Sequence, residues 1–317
     1  MRLMKRVIYI LLICLTFLSC KKDEGTPYTH RIIAIASANG IGDKGYLDVV
    51  VLGYEQIYYN LDNSKYMQIC MPLTTDEAYQ IALKNIEKAK DGVPTLIIFG
   101  SSEYLDIVEK LKKNTSISGS NVSVLLFEVD SLAPASNDIN YYSFIISTYK
   151  ACYDAGKYVA DKRFRNPLIW LSNPIDVQMD YFRDGFSDGY YDVTGVRPDV
   201  RYLADDYSGY SMSDSAYRAM AELDSLYDFI FPVMGGSNLG IYRYLREHPD
   251  GPYVAGMDVD QSKYAKNIIG CLIKNIDRAV VDFTNDWIEG KEIPQQQVFD
   301  ASSGYIEWRV IIEVAPQ

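Results

Sequence analysis

The chain has 317 residues and carries 42 Asp and Glu against 31 Lys and Arg, a net charge of −11 at neutral pH. That acidic balance, with no basic patch, argues against nucleic acid as a partner. The length suffices for two lobes of ordinary size, and past the N-terminus no apolar run approaches the roughly eighteen residues a membrane helix needs.

At the N-terminus, Arg2, Lys5 and Arg6 form a positive region and Val7 to Leu18 an apolar one, with small Ser19 before Cys20. This is read as a secretory leader over residues 1–19, too short for a stable span. The Ser19-Cys20 junction resembles the lipobox of bacterial lipoproteins, with Phe17 where such boxes prefer Leu. On that reading Cys20 is acylated and the chain is anchored to a membrane through its N-terminal lipid. Residues 20–30 form a lipidated tether, and its Lys21-Lys22-Asp23-Glu24-Gly25 run resembles the surface-export signal of Bacteroidetes lipoproteins. The expected location is the cell envelope, either periplasmic or facing out from the outer membrane.

From Arg31 the chain alternates between short β-rich runs and longer amphipathic stretches. Strands are expected at Arg31–Ser37, Tyr66–Met71, Thr95–Phe99, Val122–Glu128 and Tyr142–Ile146. Helices are expected over Tyr46–Asn60, from a Thr74/Glu77 capping box to Lys90, and over Glu103–Lys113. The rhythm then restarts with a helix at Tyr149–Lys162, a strand at Leu168–Leu171 and a helix near Val177–Tyr191. Further strands are expected at Val200–Leu203, Phe229–Val233 and Tyr253–Ala255, with helices near 214–225 and 238–247. A late helix from about Asn267 to Glu289 and a strand at Tyr305–Val314 complete the chain.

Such alternation implies an α/β fold of parallel sheets flanked by helices, and two series imply two lobes with a ligand cleft between them. The surplus of elements at the end suggests that the chain crosses back. The expected division is residues 31–146 plus about 259–290 for the N-terminal lobe, and 147–258 plus about 291–317 for the other. In such folds ligands bind outside the carboxyl ends of the strands.

Catalytic and metal-binding vocabulary is sparse. His30 and His248 lack the neighbours of a general base or ligand, and Cys70, Cys152 and Cys271 are widely spaced without a CxxC. The cysteines read as small buried hydrophobes. Gly40 to Gly45 (GIGDKG) satisfies the dinucleotide fingerprint G-x-G-x-x-G. The next strand ends Cys70-Met71-Pro72 instead of in a ribose-binding acid, and Asp43 places negative charge where a pyrophosphate would sit. No cofactor and no metal is expected.

The same loop, Gly42-Asp43-Lys44-Gly45-Tyr46, resembles the D-K-[SG]-F-N loop of the basic membrane protein (PnrA-like) family. These are substrate-binding lipoproteins of ABC transporters, and the best-known members bind purine nucleosides. The likeness continues in chain order. Phe127-Glu128-Val129-Asp130 is similar to that family's strand ending in Asp, and Tyr149–Ala160 to its "YlAGylA" helix. Phe182 to Gly189 resembles F-x-x-G-F-x-x-G, Asp228–Gly240 a Gly-rich strand-turn-helix, and Gly256 to Gln261 the G-v-D-x-D-Q segment. Cys271 to Lys274 stands where the family has S-v-v-K.

This resemblance implies a two-lobed periplasmic-binding-protein type I fold. It also implies ligand-binding roles for Asp43, Lys44 and Tyr46 in the first loop. A second aromatic position falls on Tyr210 or Met212, the backbone of Gly235 and Gly236 lies near the sugar, and Asp258 and Lys274 meet its hydroxyls. The chemistry is consistent, since aromatic faces cover flat rings while a few polar groups orient them. Leu47 replaces the family's Asn, which removes a polar group, and Cys271 replaces Ser.

The expected function is therefore capture of a small polar ring-bearing ligand, foremost a nucleoside, with an ABC permease as partner and no enzymatic activity. Two alternatives remain: a sensing or scavenging lipoprotein of the same fold without a transporter, and an exported nucleoside hydrolase. For the hydrolase Asp258 and Asp260 are the one acid pair, and alternate residues on an extended segment face opposite ways.

Overall fold

The computed structural model describes residues 28–315. The expected leader, Cys20 and the charged run at 21–25 lie outside the described residues.

The first sheet begins with β1 (His30–Ile35), β2 (Lys65–Cys70), β3 (Thr95–Phe99), β4 (Val122–Phe127) and β5 (Asn140–Ile146). Helices α1 (Tyr46–Asn60), α2 (Thr75–Lys88) and α3 (Leu105–Lys113) connect them. All these strands pair in parallel, which requires helices on both faces. The residues satisfy this with a period of two. Ile32 and Ala34 join one apolar cluster with α1, while Ile33 and Ile35 join another with α2 and α3. One arm of the capping box forms as expected, Thr74 accepting from Glu77 N–H at 3.1 Å, while the Glu77 side chain accepts from Leu73 N–H, one residue before the cap, at 2.8 Å.

The second sheet contains β6 (Pro167–Leu171), β7 (Asp199–Tyr202), β8 (Phe229–Val233), β9 (Tyr253–Asp258) and β10 (Ile268–Lys274). Helices α4 (Tyr149–Asp161) and α5 (Gln178–Thr194) cover one face, while α6 (Ser213–Leu223) and α7 (Asn238–Glu247) cover the other. Cys70, Cys152 and Cys271 are free and buried.

The C-terminal part departs from expectation. The expected helix at Asn267–Glu289 is in fact β10 followed by α8 (Ile276–Ile288). The run Ile268-Ile269-Gly270-Cys271-Leu272-Ile273-Lys274 is buried throughout and pairs with β9. A continuous apolar run reads alike for a buried strand or a buried helix, and only the β9 ladder decides between them. Helix α8 packs on α1 in the first lobe. Then β11 (Gln296–Phe299), an unexpected edge strand, extends the first sheet beside β5, and β12 (Ile306–Val310) runs antiparallel to β10. The strand orders are β11-β5-β4-β3-β1-β2 and β12-β10-β9-β8-β6-β7. The boundaries drawn at 259–290 and 291–317 are thus corrected: residues 259–274 belong with the second sheet, and 276–299 with the first. His30, assigned to the tether, is the first residue of β1.

The family-like glycines at 156, 185 and 189 have a packing role. A Cβ on Gly189 would lie 2.0 Å from the Tyr153 carbonyl oxygen, and one on Gly156 2.1 Å from that of Phe186. Helices α4 and α5 therefore touch backbone to backbone beneath the second sheet. Gly189→Ala is expected to destabilise the fold by about 1–3 kcal/mol, because neither carbonyl can move without its helix. Urea denaturation measures this as a lower midpoint with an unchanged slope.

Candidate ligand-binding cleft

The carboxyl ends of both sheets face each other across a cleft of about 730 Å³, including its open part. Each strand end delivers residues to the wall. From the first lobe, the loop after β1 brings Asp43 and Tyr46, the loop after β3 brings Ser102, and Glu128 directly follows β4. From the second lobe, Asp176 and Gln178 follow β6, Tyr207 and Tyr210 follow β7, and Gly235 and Gly236 follow β8. Asp258 ends β9 and Lys274 ends β10. Parallel pairing aligns all these ends on one side, and two such sheets facing each other enclose a ligand.

The lobes are closed on one another. Lys274 Nζ lies 2.6 Å from Glu128 Oε2, and each side chain is only 3% exposed. Ser102 donates to Asp176 Oδ2 at 3.1 Å, and Tyr210 donates to the same oxygen at 2.9 Å. The Gln261 amide donates to the Lys44 carbonyl at 2.9 Å. The Lys274 ammonium also lies 5.5 Å from the Tyr46 ring centre and 5.9 Å from that of Phe182, within cation–π range.

Backbone strain concentrates here. Among the described residues, four non-glycine residues have positive φ, and two of them, Glu128 (60°) and Asp258 (66°), line the cleft, while Lys44 (55°) lies in the loop between the lining residues Asp43 and Tyr46. Left-handed backbone costs energy for such residues and is found where a side chain must be aimed.

The sequence-predicted residues divide as follows. Asp43, Tyr46, Tyr210, Gly235, Gly236, Asp258 and Lys274 all line the cleft. Asp43 is also a helix cap, accepting N–H bonds from Gly45 (2.9 Å), Leu47 (2.9 Å) and Asp48 (3.2 Å) at the start of α1. Burial raises its carboxyl above the usual range in spite of these donors. Lys44 is not brought into the wall: its half-exposed side chain faces Asp48, and only its carbonyl joins the lobe contact. Of Tyr210 and Met212, Tyr210 is the one that lines the cleft. Met212 is outside the lining, its N–H bound to Ser237 Oγ at 2.6 Å. Lys274 ends a strand and is buried, not on a helix surface.

Sequence reasoning did not single out Glu128, Asp176, Gln178, Ser102 or Tyr207 as site residues. Glu128 is the last residue of an expected strand and the others follow the end of one by a few positions, so applying the strand-end rule to every loop points to them. Burial raises the Glu128 carboxyl, with the Lys274 ammonium opposing. Burial also pushes Asp258 up to about 7; Lys274 opposes this while Asp43 and Glu128 reinforce it.

Two mainly parallel sheets whose carboxyl ends face one cleft, with strands exchanged between lobes, define a two-lobed fold of the periplasmic-binding-protein type I kind. Solved structures share the fold. An ABC transporter solute-binding protein from Aeropyrum pernix aligns with a TM-score of 0.70 at 16% identity, covering 88% of this chain and 76% of that one. A periplasmic solute-binding protein from Actinobacillus succinogenes with bound D-allose aligns at 0.64 with 12% identity, covering 89% and 97%. A LacI family regulator from Enterococcus faecium with bound ribose aligns at 0.63 with 16% identity, covering 90% and 99%.

The chain belongs to the Bmp family of PnrA-like ABC transporter substrate-binding proteins, whose model matches residues 31–312. Basic membrane protein C of Borreliella burgdorferi is 24% identical over 305 residues, covering 90% of this chain and 82% of that protein. Basic membrane protein D of the same species is 21% identical over 291 residues, covering 90% and 80%. Family members are substrate-binding proteins that act outside the cytoplasm, not enzymes as a rule. Among the described residues no helix is long and apolar enough to cross a membrane.

The Asp258 shift has a stability consequence. The unfolded carboxyl titrates near 3.9 and the folded one near 7, so its contribution to stability is full below about pH 3.9 and is lost as pH rises through about 7. Asp258→Asn, which carries no charge at any pH, is expected to raise the thermal midpoint at pH 8 by several degrees. The difference from wild type should narrow as the pH falls toward 4, as read by calorimetry across that range.

Proposed function

We propose that the protein is an extracytoplasmic substrate-binding lipoprotein that captures a nucleoside, or a closely related polar ring-bearing molecule, for an ABC-type importer. The observation that carries this is the pairing of Tyr46 and Tyr210, aromatic rings from opposite lobes, in one closed cleft with Asp258 and Lys274. Aromatic faces bury a flat ring, while a carboxylate and an ammonium engage the hydroxyls of a sugar. The glycines at 235 and 236 keep that wall thin: a Cβ on Gly236 would meet the Asp43 side chain at 3.5 Å and the Tyr210 carbonyl at 3.2 Å. Contacts to both lobes at once favour the closed form, which is the state a permease reads. Acylation at Cys20 keeps the protein at the membrane, with Lys21 to Gly25 as tether.

Thermal shift against nucleosides, bases and sugars tests the ligand. A nucleoside at about 100 times its Kd is expected to add about 2.7 kcal/mol and raise the midpoint. Asp258→Ala should remove that response while the protein stays folded. A well-folded wild-type protein that responds to no nucleoside would sink the ligand assignment. The anchor is tested separately: Cys20→Ser should move the expressed protein from the membrane fraction to the soluble envelope fraction.

A further inference from the structure

Two buried acceptors in the cleft wall have no donor. Glu128 gives Oε2 to Lys274, and its Oε1 is enclosed with no hydrogen bond of full geometry, the Ile146 N–H near the carboxylate being a minor influence on it. Gln178, 4% exposed, turns its amide nitrogen toward the Glu128 backbone carbonyl at 3.5 Å, which leaves its own Oε1 enclosed and unpartnered. The two side chains are neighbours from opposite lobes, and both line the cleft. Buried acceptors in native proteins are nearly always satisfied, so an orphaned pair at a binding cleft marks where a ligand supplies donors.

None of the other lining side chains hydrogen-bonds either oxygen. Lys274 is the one Lys or Arg among the lining residues, and its ammonium is already on Glu128. Asp176 Oδ2 already receives Ser102 and Tyr210, and Oδ1 receives the Gln178 N–H at 3.0 Å. Asp43 spends both carboxylate oxygens on the start of α1. The lining thus carries four carboxylates, Asp43, Glu128, Asp176 and Asp258, against one ammonium.

We propose that Glu128 and Gln178 select a ligand whose ring bears an amino group, and that this group lies between the two unpartnered oxygens. A primary amino group has two N–H donors, one for each oxygen. An oxo group at the same place would set its lone pairs against both acceptors. This inference rests on the ring-bearing ligand proposed above and specifies its chemistry.

The experiment is titration calorimetry on the chain from Lys21 onward, which contains the whole described fold, with cytidine against uridine and adenosine against inosine. Sites built to hydrogen-bond an N–H discriminate strongly against analogues that lack it, so the amino member of the pair that binds is expected to be at least ~10-fold tighter. Gln178→Met keeps the volume and removes one acceptor, and should cut that preference to within about threefold. Glu128→Gln should cut it as well, and Gln178→Met serves if that variant fails to fold. Equal binding of amino and oxo members, tighter binding of the oxo member, or an undiminished preference in Gln178→Met would overturn the inference and leave the nucleoside reading standing. If no member of either pair binds, both fall together.

Discussion

Lys274 and Glu128 meet across the cleft at 2.6 Å, each almost fully withdrawn from solvent, and they belong to different lobes. In an open cleft both groups would be hydrated. Closing brings them out of water, at a desolvation cost that their mutual attraction does not by itself guarantee to repay. The surroundings improve the balance: Tyr46 and Phe182 present ring faces to the ammonium, and Gln178 lies against the Glu128 backbone. Removing one partner would strand the other charge in the closed state, at a cost of about 3–5 kcal/mol. The closed geometry of the cleft thus depends on this pair, and a ligand that satisfies the remaining acceptors shifts the balance further toward closure.

The pair sits where it does because of how the chain is threaded. Glu128 directly follows β4, a central strand of the first sheet, and Lys274 is the last residue of β10 in the second. Between β10 and α8 only Asn275 intervenes, so the residue that reaches across the cleft is adjacent to the point where the chain itself crosses. The chain passes between lobes there, between β5 and α4, and between β11 and β12. Several crossings at one edge restrain twisting and leave opening and closing as the natural motion. The strained backbone at Glu128 and Asp258 lies on the cleft side of these connections, where aim matters more than local comfort.

The resemblance to a known family was carried by two kinds of residue that sequence cannot separate. Tyr46, Asp258 and Lys274 reach the cleft, whereas Gly156, Gly185 and Gly189 hold α4 against α5 well away from it. Lys44 and Met212 stand beside true wall residues in sequence yet turn elsewhere, one toward Asp48 and one toward Ser208 and Ser237. A loop of non-repeating backbone does not announce which neighbour faces in. Strands do so through their period of two, which is why the sheets were legible and the loops only partly so.

By itself the sequence determined the alternation of strand and helix, the two lobes, and the side of each sheet on which a ligand binds. These follow from local apolar periodicity and from the need of parallel strands for cover on both faces. Tertiary structure alone decided that Ile268–Lys274 is a strand, that β11 returns to the first lobe, and that Lys274 meets Glu128 across 146 positions of chain. It alone left Glu128 and Gln178 as neighbouring unsatisfied acceptors. Those outcomes depend on pairing and desolvation between distant segments, and no local pattern encodes which distant segment arrives.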